Sequence, residues 1–331
     1  MAALAERSPD GAEAEHRRTG FGLALSIDPR ISIAGLGDAD DLTAGERRSR
    51  VRLDDGELED RWQTLSGTPL RARELRSDGV LLLSVDFDEH AGYLMWALDH
   101  GRVLISPDGL ELLCEPDPVN EDWASILAAQ ALPLAATVRG LEVMHASGVV
   151  LDGRALLFAG PPGAGKSSLA AALVSDGAQL LSDDAVALQL RQRGLLAHAG
   201  SVVLQLRSTE QQRLPEDRRA RLGSPLRSFT GKHRYMGPSV PAAAPLAALF
   251  LLERSSEQPV LERLPAVNPF ELIGSTFNLS VRTPARLQRQ LDVASAIASG
   301  ELAHRLRVQP GVDATQLARV VREHQTRSPA S

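Results

Sequence analysis

The residues with the clearest chemical potential form one short glycine-rich segment, residues 160–167, which reads Gly-Pro-Pro-Gly-Ala-Gly-Lys-Ser. It fits the pattern G-x-x-x-x-G-K-[ST], in which glycines let backbone N–H groups surround phosphate oxygens without a clashing Cβ. Lys166 offers a compact positive charge to the outer phosphates, and Ser167 offers a hydroxyl to Mg²⁺. We therefore predict that the chain binds a nucleoside triphosphate. The predicted binding residues are Gly160, Pro161, Pro162, Gly163, Ala164, Gly165, Lys166, Ser167 and Ser168.

Two consecutive aspartates, Asp183 and Asp184, follow Lys166 by 17 and 18 residues. One helix and a return connection fit into that gap, so we expect the pair to end a strand that lies beside the strand leading into the loop. One carboxylate there can hold Mg²⁺. The other can accept the proton of an attacking hydroxyl, an effect worth about 10²–10⁴ in rate. The alternative is that the pair only caps a turn.

His145 lies 15 residues before Gly160, on a strand predicted to pair back against the loop strand. From there it could reach the aspartates and orient or share their proton. The alternative is a core histidine whose hydrogen bonds are satisfied locally.

Lysine occurs only at Lys166 and Lys232, whereas every other strong base is arginine. An isolated lysine in such a chain indicates a need for a compact ammonium group, the alternative being chance. Arg207, Lys232 and Arg234 are candidate clamps for the transferring phosphoryl group, carried on a loop that closes over the site. The alternative is a solvated basic loop.

The elements that must position these residues follow from pattern and punctuation. Short apolar runs between turn signals at 21–27, 79–85, 93–97 and 102–105 predict mostly antiparallel strands. A helix is predicted over 121–140, kinked or split at Pro133.

The loop itself is predicted to follow a hairpin, with strands at 144–151 and 155–159 joined by Asp152-Gly153. After the loop we expect a helix that Gly177 terminates, and then a strand at 179–181. The polar, arginine-rich segment 208–245 is predicted to contain a mobile loop, and 246–252 a buried strand. Thr283-Pro284 and Gly300 mark the start and stop of a late helix.

Composition limits the class of protein. The chain has 331 residues, of which 43% are hydrophobic and 24% charged, as in a soluble globular protein. A net charge of −6 gives no general attraction to nucleic acid or to an anionic membrane, and we expect neither partner. The single cysteine, Cys114, excludes an intrachain disulfide and is expected to be buried and structural. Because the N-terminus is polar and no long apolar stretch occurs, we expect a cytoplasmic protein. The protein could also form a homo-oligomer.

Three segments together resemble the C-terminal catalytic domain of the HPr kinase/phosphorylase family. They are 144–147 (Met-His-Ala-Ser), 156–167 (Leu-Leu-Phe-Ala-Gly-Pro-Pro-Gly-Ala-Gly-Lys-Ser) and 176–184 (Asp-Gly-Ala-Gln-Leu-Leu-Ser-Asp-Asp). The resemblance is strong over 140–190, continues weakly through Lys232 and 245–253, and covers about half of the chain.

The resemblance implies an α/β fold, a P-loop domain with a mixed sheet akin to phosphoenolpyruvate carboxykinase. It also implies ATP and Mg²⁺ as cofactors and phosphorylation of a hydroxyl, typically a serine. Carried over to this chain, Asp183 is the general base, Asp184 and Ser167 lie nearer the Mg²⁺, and His145 is an auxiliary acid or base. The two aspartates could also be exchanged.

The departures from that family bear on the substrate. A Glu-x-Arg-Gly-Leu-Gly signature is absent from the comparable stretch, 200–210, and the N-terminal region has no counterpart there. Both departures argue against the HPr protein as substrate and against the reverse phosphorylase reaction. They favour relatives that phosphorylate a serine on another protein or on a ribosomal precursor peptide. Glu210 could replace the missing acidic ligand.

The predicted organisation is therefore a disordered N-terminus at 1–20 and a β-rich, acceptor-recognising domain at 21–120. A kinase domain follows at 121–310, and a C-terminal helix and tail at 311–331. Two other functions stay open, a small-molecule hydroxyl kinase and a non-catalytic nucleotide-binding switch. Against a motor of the ABC type, the chain has no Leu-Ser-Gly-Gly-Gln signature.

Overall fold

The computed structural model describes residues 15–39, 47–228, 231–238, 240–255, 258–264, 267–268, 272–277, 280–309 and 311–327. Contacts divide the chain into two compact units, one made of Met1–Thr19, Leu23–Ile33 and Asp38–Ile126 and the other of the remaining residues. Helices and several mixed sheets are present, which confirms the predicted α/β class. Within the described residues, no helix has both the length and the apolar character needed to cross a bilayer.

The first unit centres on a nine-stranded sheet with the strand order β3-β1-β2-β4-β9-β8-β7-β6-β5 and one helix, α1 (Leu58–Leu65). The strands are β1 (His16–Gly20), β2 (Leu23–Ile27), β3 (Gly37–Asp38), β4 (Ser49–Leu53), β5 (Leu70–Ser77), β6 (Val80–Asp88), β7 (Gly92–Ala97), β8 (Gly101–Ile105) and β9 (Glu111–Pro116).

The strands predicted at 21–27, 79–85, 93–97 and 102–105 are present as β2, β6, β7 and β8. Strands β5 to β9 are antiparallel, whereas β4 pairs in parallel with both β2 and β9. The prediction of disorder over 1–20 is wrong at its end, because residues 16–20 form β1 against the buried strand β2. The part at 1–14 lies outside the described residues.

Cys114 lies on β9 and is fully buried as a free thiol, in agreement with the expected structural role. Burial raises the pKa of this thiol, because the thiolate would lose its hydration. The thiol is therefore kept protonated, and it packs as a small apolar side chain.

The second unit contains the glycine-rich loop. Its strands are β10 (Glu142–Met144), β11 (Ala146–Leu151), β12 (Arg154–Ala159), β13 (Gln179–Ser182), β14 (Val186–Arg191), β15 (Gly194–His198), β16 (Val203–Arg207), β17 (Ser224–Leu226), β18 (Lys232–Met236), β19 (Ala243–Arg254), β20 (Val260–Arg263) and β21 (Ala303–Val308). A π-helical turn (Leu127–Ala131) precedes its α-helices, which are α2 (Leu132–Val138), α3 (Lys166–Ser175), α4 (Ser208–Arg213), α5 (Glu216–Arg219), α6 (Pro284–Ser299) and α7 (Ala314–Arg327).

The main sheet of this unit has β12, the loop strand, near its middle. Strand β12 pairs in parallel with β19 and antiparallel with β11, and β19 pairs in parallel with β21. The buried strand predicted at 246–252 is therefore present, as part of β19. The expectation that the aspartate strand lies directly beside the loop strand is wrong. Strand β13 pairs with β11, and β11 lies between β12 and β13 in the sheet.

Neighbouring side chains on β12 point to opposite faces of the sheet. Because the apolar side chains on both faces must be buried, helices cover both faces. Phe158 belongs to the apolar cluster that includes α3 and α7, where Leu169 and Leu317 are buried. Leu157 belongs to the other cluster, which includes Ile297 of α6.

Several local predictions are confirmed. Pro133 stands in the first turn of α2, where the π-helical turn gives way to an α-helix, although the helical stretch begins at 125 and not at 121. The Thr283 side chain accepts a hydrogen bond from the Arg286 N–H and caps α6, which ends at Gly300. The prediction that 208–245 contains a mobile loop stays a prediction. The described residues of that segment include α4, α5, β17 and β18, and β17 and β18 join β16 in a three-stranded sheet.

A buried ion pair ties α6 to β10, the strand that leads to His145. The Arg286 Nη2 donates to Glu142 Oε1 at 2.9 Å, and the two side chains are only 2% and 3% exposed. Gln290 accepts a second hydrogen bond from the same guanidinium at 3.1 Å. Such a pair resists the removal of one partner, since the other charge is then left enclosed without compensation.

We expect Arg286→Met to lower the free energy of unfolding by about 3–5 kcal/mol, because the Glu142 carboxylate stays buried without its cation. Urea unfolding is the measurement. The matched control is Arg263→Met, which breaks the exposed pair with Glu301 and should cost about 1 kcal/mol or less. The double variant Glu142→Leu/Arg286→Met should recover most of the loss. Equal effects of Arg286→Met and Arg263→Met would contradict the assignment.

Candidate active site

The glycine-rich loop joins β12 directly to α3. Gly160 has φ +151°, and a Cβ there would come within 2.7 Å of the Leu252 carbonyl oxygen on the neighbouring strand β19. Gly165, with φ +101°, is the residue before the helix, and its left-handed conformation turns the chain into α3. Both positions favour glycine, the first because the backbones approach closely and the second because of the backbone angle. The N–H groups of the first helical turn lack partners within α3, as at any helix N-terminus, and are therefore available to an anion.

Lys166 is the first residue of α3, and its side chain reaches back to the start of the loop. Its Nζ donates to the Gly160 carbonyl oxygen at 2.9 Å, and the residue is buried. Burial lowers the pKa of the ammonium, and the charges of Asp184 and Asp183 oppose that effect. The lysine predicted to bind phosphate is therefore held against the start of the loop.

Asp183 is enclosed by three hydrogen-bond donors. Its Oδ1 accepts from Ser147 Oγ at 2.6 Å and from Ser167 Oγ at 2.9 Å, and its Oδ2 accepts from the Gln205 N–H at 3.1 Å. Burial raises the pKa of this carboxyl, whereas the three hydrogen bonds act in the opposite direction. Asp183 is thus joined to the hydroxyl of the loop and is partly buried.

Asp184 differs sharply from its neighbour. It has φ +75°, the left-handed conformation that Asp and Asn tolerate better than most residues, and its side chain is 54% exposed. The His145 Nδ1 lies 3.3 Å from Asp184 Oδ1 and 3.1 Å from the Asp184 carbonyl oxygen. Burial lowers the pKa of His145, and the neighbouring Asp184 partly offsets this shift. An exposed carboxylate with an imidazole beside it can accept and pass on a proton.

Strand register explains why these residues meet. In the hairpin predicted at Asp152-Gly153, Ala146 stands opposite Ala159, so His145 is next to the start of the loop. On the other side of β11, Gly148 stands opposite Ser182, which precedes the two aspartates. The ends of β12 and β13 therefore open on the same edge of the sheet, although β11 separates them.

The predicted phosphate clamps stand on the small sheet. Arg207 ends β16 and is paired in register with Lys232, the first residue of β18, and both residues are exposed. Gln205, which contacts Asp183, is two residues away from Arg207 along the same strand. Glu210 is engaged in capping, because its carboxylate accepts from the Arg207 N–H at 2.9 Å. The structure thus carries Arg207 and Lys232 on a pair of strands that also includes Gln205, the residue in contact with Asp183.

Three contacts of the site were not predicted from the sequence. Ser147 is the second residue of β11 and lies two residues after His145, which stands at the bend between β10 and β11. The Gln205 contact uses a backbone N–H, for which residue type gives no signal. Arg254 donates from Nη2 to the Gly163 carbonyl oxygen at 2.7 Å. Its signal was its place at the carboxyl end of a buried strand parallel to the loop strand.

The residues fit a Mg²⁺-bound triphosphate. A hydroxyl and a carboxylate, from Ser167 and Asp183, are the hard oxygen donors that Mg²⁺ prefers. No group of three or more His, Cys, Asp or Glu side chains suited to a metal ion occurs among the described residues.

Comparison with known proteins gives a distant likeness to solved structures. No protein-family model matches the chain, and no curated protein matches it. Among solved structures, the chain is similar to the Hpr(Ser) kinase/phosphatase from Coxiella burnetii. The sequence identity is 18% and the TM-score is 0.32, and the match covers 57% of this chain and 99% of that chain.

Proposed function

We propose that this protein is an ATP-dependent kinase that transfers a phosphoryl group to a hydroxyl, most simply a serine of a protein or peptide. One observation carries the proposal. A carboxylate paired with an imidazole, Asp184 and His145, stands at the same sheet edge as a phosphate-binding loop with a buried carboxylate behind its serine. A site that only binds a nucleotide has no use for a proton acceptor at that edge.

The proposal includes an exchange of the roles first expected for the two aspartates. Asp183 is the metal-side carboxylate, because Ser167 Oγ lies 2.9 Å from it and its remaining contacts enclose it. Asp184 is the general base, because its carboxylate is open to an incoming hydroxyl and contacts His145. Bound Mg²⁺-ATP supplies the γ-phosphoryl group at Lys166. Asp184 takes the proton of the acceptor hydroxyl at Oδ1 or Oδ2, and the His145 Nδ1–H, which faces two acceptor oxygens of Asp184, orients that carboxylate.

Lys232 and Arg207 are proposed as outer cations that offset the charge of the phosphoryl group during transfer. This role is supported by the pairing of β16 with β18, because β16 also carries Gln205, whose N–H contacts Asp183. The exposure of both side chains implies a modest, salt-sensitive effect.

The exposure of the proposed base favours an acceptor carried on a polypeptide. Asp184 is 54% exposed and His145 is 33% exposed. Kinases for small molecules enclose their acceptor to exclude water, which would otherwise compete for the phosphoryl group. An open site is better matched by a peptide that covers it as it binds.

Degenerate peptide pools with one fixed central serine test this proposal, with [γ-³²P]ATP and Mg²⁺ as donor. We expect label in the serine pool, none in a matched pool with alanine at that position, and one added phosphate by mass spectrometry. Free L-serine is included as a small-molecule probe. Label in free serine but not in the peptides would favour the small-molecule alternative, and bulk ATP hydrolysis with no labelled acceptor would favour the nucleotide-dependent switch.

A further inference from the structure

The small sheet of β16, β17 and β18 has two faces of opposite character. One face packs against the apolar cluster that includes α3, through the buried side chains of Leu204, Leu206 and Tyr235. Because successive residues of a strand point to opposite faces, Gln205 and Arg207 of β16 lie on the other face. Their register partners on β18 are Arg234 and Lys232, which share that face with them. We call this second side, with Gln205, Arg207, Lys232 and Arg234, the cationic face.

The charge of the cationic face has a single sign. The three strands contain basic residues and no acidic ones, although the whole chain has a net charge of −6. Within the part of the chain that the structure describes, neither Arg207 nor Lys232 has an ion-pair partner, and both are exposed. Glu210, the acid that follows β16, accepts from the Arg207 N–H at 2.9 Å. Arg207 and Lys232 therefore offer positive charge that the chain itself does not neutralise.

The cationic face begins beside the candidate active site. The Gln205 N–H donates to Asp183 Oδ2 at 3.1 Å, so one edge of β16 faces this aspartate while its other edge pairs with β18. Residues advance by about 3.3 Å along a strand, and neighbouring strands lie about 4.8 Å apart. These spacings put the backbone of Arg207, Lys232 and Arg234 roughly 7–12 Å from the Asp183 carboxylate. The face is thus within a few residues' reach of the place where phosphoryl transfer is proposed.

We infer that the cationic face binds the acceptor polypeptide through acidic side chains about two to four residues away from the serine that receives the phosphoryl group. The inference rests on the proposed function and adds to it the class of acceptor, an acidic segment. An extended peptide with its serine hydroxyl at Asp184 covers the distance to the three cations in that number of residues. Arginine can pair with a carboxylate through two parallel hydrogen bonds, and lysine adds a point charge.

The residue types on the face favour an acidic polypeptide over single-stranded nucleic acid. Proteins that bind single strands combine positive charge with aromatic side chains on which the bases stack. The only tyrosine of these strands, Tyr235, is buried on the core side. The cationic face therefore offers charge without a stacking surface, which suits carboxylates.

Peptides that differ only in charge test the inference on the unaltered full chain. Three serine peptides carry glutamate, glutamine or lysine at the second to fourth positions on both sides of the serine. With Mg²⁺ and [γ-³²P]ATP, we expect kcat/KM for the glutamate peptide to exceed that for the glutamine peptide by about tenfold, mainly through KM, since two or three exposed ion pairs supply an effect of this size. The lysine peptide should be the poorest acceptor. Added salt should reduce the advantage of glutamate, because exposed charges are screened.

Reversing the charge of the face should reverse the preference. In the double variant Arg207→Glu/Lys232→Glu, the lysine peptide should become a better acceptor than the glutamate peptide. Each preference is a ratio measured within one variant, so a lower transfer rate caused by the missing cations does not affect it. The matched control is Arg193→Glu, which makes the same reversal at an exposed turn between β14 and β15 and should keep the preference for glutamate.

Three results would overturn the inference. The first is an equal kcat/KM for the glutamate and glutamine peptides on the unaltered protein, which decides the matter even if the double variant folds poorly. The second is an unchanged preference in a folded double variant. The third is tighter inhibition of transfer by oligouridylate than by the glutamate peptide with alanine in place of serine, which would assign the face to nucleic acid. In each case the proposed function stands, because serine peptides are still labelled. If no serine peptide is labelled, whatever its charge, the proposed function and the inference fail together.

Discussion

Asp184→Asn is expected to lower phosphoryl transfer to a serine peptide by about 10²–10⁴-fold, with little change in ATP affinity. Loss of a general base has an effect of this size, and the amide cannot take the proton of the hydroxyl. Asparagine also suits the left-handed backbone at this position, where φ is +75°, so the fold should be retained. The measurement is initial-rate transfer from [γ-³²P]ATP, with nucleotide affinity determined in parallel.

The adjacent substitution Asp183→Asn is the matched control, since it makes the same chemical change one residue away. It should disturb Mg²⁺ dependence instead, because the amide replaces a carboxylate that contacts the Ser167 hydroxyl at 2.9 Å. We expect the Mg²⁺ concentration needed for half-maximal transfer to rise at least tenfold. The opposite result would be that Asp184→Asn shifts the Mg²⁺ requirement while Asp183→Asn lowers only the rate at saturating Mg²⁺. Asp183 would then be the general base and Asp184 the metal-side carboxylate.

The parts of the site that lie within one stretch of chain were predictable from the sequence. The loop follows from its glycines and Lys166, whose residue types are tied to one backbone conformation. The hairpin before it follows from Asp152-Gly153, which take φ values of +51° and +76° as a two-residue turn requires. From this hairpin alone, the placement of His145 beside the loop could be derived.

The parts that depend on long-range pairing were not predictable. The interval between Lys166 and Asp183 is compatible with β13 on either side of β12, and nothing local indicates that β11 lies between them. The enclosure of Asp183 depends on Ser147 and Gln205, which are 36 and 22 residues away along the chain. Without those contacts the two aspartates are equivalent in sequence, and their roles could not be separated.

The arginine-rich segment shows a different limit. Residues 208–245 are polar and rich in Pro and Gly, which is the composition of a loop. The apolar residues Leu214, Leu222 and Tyr235 nevertheless anchor the segment, because they are buried in the cluster that includes α3. Short helices and strands usually depend on tertiary packing for their stability. Here the burial of a few side chains stabilises such elements in a segment whose composition favours a loop.

Lys166→Met is expected to reduce transfer by on the order of 10³-fold and to weaken ATP binding at least tenfold. A single cation that stabilises the transferring phosphoryl group has effects of about this size. Methionine keeps the buried aliphatic stem but removes the ammonium that lies 2.9 Å from the Gly160 carbonyl oxygen. Transfer rates and calorimetric ATP titrations measure the two effects.

Two controls separate this loss from misfolding and from a general loss of charge. Burial lowers the pKa of Lys166, which means that the buried ammonium is less well solvated than it would be in water. Removing this charge should therefore leave the free energy of unfolding unchanged or raised. Lys232→Met makes the same substitution at the only other lysine, which is exposed on β18. It should lower transfer by no more than about tenfold, without changing ATP affinity, because solvent and salt screen its charge. If Lys166→Met folds normally and transfers phosphate at the wild-type rate, the glycine-rich loop is not where the reacting phosphate binds.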